Sequence, residues 1–113
     1  MTERTLIVPM RIQSVANLRE HWSARGKRAK AQRYGIAARL HAAGFCRGAS
    51  VVTLTRIAPR PLDTDNLSSG FKALRGGVAD WLHIDDSTKT GIEWRYAQRR
   101  GKPNEYAVEV NLE

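Results

Sequence analysis

The chain predicts an α+β fold, a single small domain in the order β-α-β-α-β-β whose mixed sheet is packed by two helices. Three observations point there. Stretches near both ends alternate apolar and polar residues with the period of two that a half-buried strand requires. Two internal stretches are instead rich in helix formers or repeat apolar residues at spacings of three and four. At 113 residues the chain supplies one modest core and is too short to divide readily.

Thr5 to Ile12 puts Leu6, Val8, Met10 and Ile12 on one face of a first strand, and Pro9, with no N–H for a ladder, belongs at a sheet edge or a bulge. A polar connection from Ser14 to Trp22 leads into a helix from about Arg25 to Ala43. Its apolar stripe is thin (Ala29, Ile36, Leu40, Ala43) and Gly44 is its stop. Ala49 to Ile57 is a β-branched strand, with Val52 and Leu54 set against Val51, Thr53 and Thr55. Pro59, Arg60 and Pro61 then stiffen the loop that leads to Asp63.

A second helix is predicted from about Asn66 to Leu82, with Leu67, Phe71, Leu74, Val78 and Leu82 as its buried stripe. Asp65 is the expected N-cap and Asp63 an Asx-turn residue. Gly76 and Gly77 each cost about 1 kcal/mol relative to Ala in a helix interior, which leaves a close approach of another backbone, a kink or a break open. Thr90 to Gln98, with Ile92, Trp94 and Tyr96 on one face, and Tyr106 to Leu112 form two further strands. Arg99 to Asn104 between them reads as the exposed tip of a hairpin.

A formal charge of +8 and a pI near 10.4 call for an anionic partner, nucleic acid first and an anionic membrane surface second. No apolar run approaches the ~20 residues that span a bilayer, and no signal-peptide pattern opens the sequence, so the expected compartment is the cytoplasm. The lone Cys46 cannot form an internal disulfide and reads as a small buried hydrophobe after Phe45.

The first helix carries Arg25, Lys27, Arg28, Lys30, Arg33 and Arg39 and no acid. Solvated helices usually mix signs to gain i,i+4 pairs, so an unmixed one fits a phosphate contact surface better. Arg60 in the stiff loop and Arg99, Arg100 and Lys102 in the later link are further expected DNA contacts. His21, Trp22 and Tyr34 are placed to stack on unpaired bases, although core packing is the commoner use of such side chains.

Every aspartate, Asp63, Asp65, Asp80, Asp85 and Asp86, falls between Asp63 and Asp86, while the remaining acids are all glutamates outside that window. Short-stemmed carboxylates place oxygen accurately, as a hard cation such as Mg²⁺ requires. Asp63 and Asp65 share one side of an extended segment. Asp80 is expected to face solvent, and Asp85 and Asp86 leave the far end of the helix, so the pairs meet only if the chain folds back. Paired carboxylates repel unless a cation lies between them. Lys72, seven residues after Asp65, returns to nearly the same helical face, where an ammonium would neutralise charge developing on a phosphate. Caps, an acidic turn and a polar helix face are the plainer explanations of these same residues. His83, between Leu82 and Ile84, reads as a packed or capping residue.

DTDN followed by a helix and then IDD resembles the RusA-like Holliday junction resolvases, whose signature is D-x-D-N, a helix of about this length and a paired DD. FKALR, VADWL and IDDS are particularly similar to the phage and prophage type, and SVANLREHW with the basic helix resembles the corresponding N-terminal region, so the likeness covers most of the chain. The resemblance implies that residues 1–113 are one nuclease domain. It implies a homodimeric endodeoxyribonuclease that uses Mg²⁺, with Mn²⁺ as a substitute, to resolve four-way DNA junctions by paired symmetric nicks. Its catalytic, metal-holding carboxylates fall on Asp63, Asp65 and Asp86. The family's lysine position is Ser69 here, and Lys72, one helical turn on, is the expected replacement. Two rivals stand beside this reading: a branched-DNA-binding module whose aspartates are structural, and a nuclease of other branched DNA such as flaps or forks.

Overall fold

The structure, a computed structural model, describes residues 4–12, 22–45, 48–83 and 91–113, without the side chains of Trp22 and Arg25. The expectations for the 14–21 connection, Cys46, Asp85 and Asp86 lie outside the described residues. The elements are β1 (Arg4–Val8), α1 (Trp22–Ala43), β2 (Val51–Ala58), α2 (Thr64–Gly70), α3 (Lys72–Leu82), β3 (Glu93–Arg100) and β4 (Ala107–Leu112). They make one α+β domain with a four-stranded mixed sheet.

The strand order is β1-β4-β2-β3. β4 runs antiparallel to both β1 and β2, while β3 runs parallel to β2. β1 and β2 are therefore parallel with β4 inserted between them, a split β-α-β arrangement. β2, the two helices after it, and β3 form a second parallel crossover of the kind that needs a helical return. β1 lies at an edge and ends at Val8, immediately before the proline that could not have extended it.

The expected hairpin is not there. β3 and β4 have β2 between them, so the link at 101–106 passes over the end of β2 rather than turning tightly. Backbone and side-chain hydrogen bonds hold it. Gly101 N–H donates to the Ala58 carbonyl at 2.9 Å, prolonging the β2–β3 pairing, and the Glu105 carboxylate accepts the Lys102 N–H at 2.9 Å. A Cβ at Gly101 would lie 2.8 Å from that Glu105 oxygen and 3.1 Å from the Glu105 carbonyl, so glycine eases the close crossing there. A loop of this length serves a hairpin or a one-strand crossing equally well, which is why local sequence favoured the wrong one.

One sheet face is built from the alternation. Leu6, Val110, Leu54 and Tyr96 sit in register across the four strands, followed by Val8, Val108, Arg56 and Gln98. Val52, Leu54, Val108, Val110 and Leu112 are fully buried there, against Ile36 and Leu40 of α1, Phe71 at the α2–α3 junction, and Leu74 and Val78 of α3. Ile12 is buried too, although the strand has already ended.

The predicted second helix is two helices. Ser68, Ser69 and Gly70 are weak helix formers, and at Phe71 (φ −87°, ψ −2°) the backbone tightens so that its N–H is shared among the carbonyls of Leu67, Ser68 and Ser69. The expected apolar stripe is nonetheless buried in full. Gly76 and Gly77 lie inside α3, not at the break. A Cβ at Gly77 would collide with the Arg33 carbonyl and with Cγ2 of Ile36, so this glycine exists for close approach of α1. α3 ends at His83, a left-handed cap residue (φ 59°, ψ 41°) whose N–H donates back to the Ala79 and Asp80 carbonyls.

Candidate active site

Asp63, with extended backbone (ψ 167°), is the N-cap of α2, and its Oδ1 accepts the Asn66 N–H at 2.9 Å. Its Oδ2 accepts from the Asn66 side-chain amide at 3.1 Å. Asp65 is not the cap, because the helix begins at Thr64 and takes Asp65 into its first turn. The segment is thus not extended through both aspartates. Asp63 is held against the backbone, whereas the exposed Asp65 carboxylate has no hydrogen bond or ion pair among the described residues.

That free carboxylate opens onto a cavity of about 390 Å³ lined by Asp65, Ser68, Ser69, Lys72, Arg75 and Tyr96. Asp65 and Lys72 therefore share one recess, as their spacing predicted, despite the interruption at Phe71. Ser69 turns inward on its own helix: its hydroxyl donates to the Asp65 carbonyl at 2.9 Å. It steadies the turn that carries Asp65.

Arg75 was not foreseen. Its Nη1 donates to the Tyr96 hydroxyl at 3.0 Å, and its guanidinium carbon lies 4.6 Å from the centroid of the Trp94 ring. Phe71 stacks on Tyr96 at 5.6 Å between centroids, with the rings 12° from parallel. The helix break thus seats Phe71 on the aromatic pair that orients Arg75. The only advance signal was spacing: Arg75 follows Lys72 by three residues, so the two are neighbours on the helix.

Asp80 is exposed, as expected, and is also a partner of α1. Arg33 grips it with Nε at 2.6 Å and Nη2 at 2.8 Å, and these bonds hold the Asp80 carboxyl below its usual range. Arg33, expected among the phosphate contacts of the first helix, thus joins the two helices. Lys27, Lys30 and Arg39 of α1 are exposed, Arg28 is half-buried, and Tyr34 is 62% exposed.

The later basic residues gather at the ends of β2 and β3. Arg60, Arg99 and Arg100 line a second cavity of about 420 Å³ together with Arg56, Ala58 and Gln98. Lys102 is exposed in the adjoining link. Arg56 sits in the core row of β2, 7% exposed. Its Nε donates to the Ile12 carbonyl at 2.9 Å and its Nη1 to the Arg60 carbonyl at 2.6 Å. Burial lowers its pKa, with Tyr106 raising it and Arg11 lowering it to smaller extents. Gln98 fixes the loop beyond: its Oε1 accepts the Leu62 N–H at 2.8 Å and its Nε2 donates to the Leu62 carbonyl at 2.7 Å. The residue so pinned immediately precedes Asp63.

Among the described residues, no group of three or more His, Cys, Asp and Glu side chains could hold a metal ion. The third carboxylate of the expected set, Asp86, lies outside them. The donors that are described suit a hard cation: Asp65 presents free carboxylate oxygens, and each Asp63 oxygen accepts one hydrogen bond and keeps a second lone pair. Among the described residues no helix is long and apolar enough to cross a membrane. The chain matches no family model, and comparison with curated proteins finds no match either.

Proposed function

We propose that the chain is a Mg²⁺-dependent endodeoxyribonuclease of branched DNA, of the RusA-like type, that resolves four-way junctions as a homodimer by paired nicks. The observation that carries this reading is the shared recess of Asp65, Lys72 and Arg75, a carboxylate unpaired among the described residues beside two cations. Asp65, with Asp63 and Asp86, would hold the ion. Bound there, Mg²⁺ or Mn²⁺ supplies Lewis-acid polarisation of the phosphodiester and lowers the pKa of a coordinated water.

The remaining work falls to the chain's own groups. Lys72 stabilises the charge that grows on the phosphoryl oxygens, and Arg75, held by Tyr96 and Trp94, orients the same phosphate with a preformed fork of donors. Water is the nucleophile, and the freed 3′ oxygen leaves with a proton from solvent. The exposed cations of α1 and of the strand ends hold the arms of the junction. A two-fold dimer matches a substrate with two equivalent strands to cut.

A non-catalytic branched-DNA module is favoured by one observation, the engagement of both Asp63 oxygens by Asn66. Nicking of a synthetic four-way junction separates the two. The nuclease gives Mg²⁺-dependent nicks that EDTA and Asp65→Asn abolish. Retained binding with no cutting under any metal condition supports the module. Competition with flap and linear duplex DNA then tests junction selectivity.

A further inference from the structure

We propose that the cavity at the C-terminal ends of β2 and β3 is a dedicated phosphodiester pocket, in which Arg56, Arg60 and Arg100 clasp one backbone phosphate of a bound nucleic acid strand. The proposal rests on the reading of the chain as a DNA-binding protein and adds a specific site, separate from the recess of Asp65 and Lys72, together with a residue that reading did not use.

Arg56 is the reason. A buried guanidinium normally has a carboxylate partner, since an uncompensated charge removed from water is strongly unfavourable. Arg56 has none among the described residues: its recorded partners are two carbonyl oxygens, from Ile12 and Arg60. These use two of the five N–H donors of a guanidinium and fix its plane. The remaining Nη2 has no partner among the described residues, in a side chain that lines the cavity.

The neighbours worsen the imbalance. Arg56 pairs in register with Gln98, and Ala58 with Arg100, so Arg100 stands on the same sheet face, diagonal to Arg56. Arg60 shares the lining, and the positive charge of Arg11 also acts on Arg56. Among the described residues, only Arg99 of these arginines has an ion-pair partner, its Nη1 3.6 Å from Glu109. A wall of arginines in a partly desolvated recess, with no acid lining it among the described residues, fits a bound anion, and a planar fork of donors fits phosphate. Because Gln98 ties Leu62 to β3, a strand held here runs beside the segment that delivers Asp63 and Asp65.

The exposed Arg60 and Arg100 allow a test that leaves the core intact. The full chain is titrated with inorganic phosphate against chloride of equal ionic strength, and the arginine Nε–H resonances are followed by NMR. The Arg56 signal should shift saturably with phosphate only, and the shift should disappear in Arg60→Gln/Arg100→Gln with the backbone spectrum preserved. In EDTA, four-way junction binding by that double variant should show a log Kd against log salt slope lower by about 1, the value for one lost phosphate contact. Absence of a phosphate-specific shift at Arg56 overturns the pocket. A shift with an unchanged slope overturns its assignment to nucleic acid and leaves a site for small anions. Failure of nicking in the unaltered protein removes the nuclease and touches neither readout.

Discussion

The two cavities that flank the β2–α2 connection are of similar size and opposite design. One sets a free carboxylate, Asp65, beside Lys72 and Arg75. The other gathers arginines and no acid. Mixed charge suits chemistry, because a carboxylate can hold a cation while neighbouring cations meet the phosphate. Charge of one sign suits holding, since it attracts a polyanion and cannot activate water. The single Pro-rich loop between them, pinned by Gln98, ties the geometry of one to the other.

Perturbing each cavity alone should separate cutting from holding. Asp65→Asn gives the largest effect: the single-turnover nicking rate falls by about 10³-fold, about 4 kcal/mol of barrier, while junction affinity in EDTA changes less than about twofold. An equal loss of affinity would merge the two cavities into one binding surface.

Gly77→Ala disturbs the scaffold common to both. Its Cβ has no room against Arg33 and Ile36, so overpacking should lower unfolding free energy by about 1–3 kcal/mol, read as a lower urea midpoint. Lys72→Met should slow nicking by about tenfold, about 1.4 kcal/mol, without altering the salt dependence of binding. An altered salt slope would make Lys72 one more phosphate contact.

The smallest effect belongs to Asp80. Its folded pKa is depressed by Arg33, so the stability it contributes is present above its unfolded pKa and fades as pH falls through the folded value. The pair is well exposed, and Asp80→Asn should remove less than about 1 kcal/mol at neutral pH and nothing at pH values where the carboxyl is already protonated. Urea midpoints of the two proteins at neutral and strongly acidic pH check this.

Much of the fold was legible because period and burial agree. The stripe from Leu67 to Leu82 and the alternation of β2 and β4 each predicted the face that is buried. Asp65 and Lys72 were legible through spacing alone, which survives the interruption at Phe71. Strand order was not, because pairing partners are chosen by the packing of the whole sheet and leave no local trace in a link such as 101–106. The cap was misplaced by two residues because Asp63 and Asp65 are equally good capping residues, and the backbone at Thr64 decides between them. Arg56 carried a signal that went unread. It follows Val52 and Leu54 at the same parity, so the alternation already placed a cation in a core row.

Anomalous diffraction from Mn²⁺-soaked crystals decides whether Asp63, Asp65 and Asp86 converge on one divalent ion. Convergence gives a Mn²⁺ peak on the Asp65 carboxylate, with Asp63 and Asp86 completing its protein ligands. A crystal in which Asp86 lies remote from Asp65, within the subunit and across any two-fold, and in which no Mn²⁺ peak falls at Asp65, would contradict it.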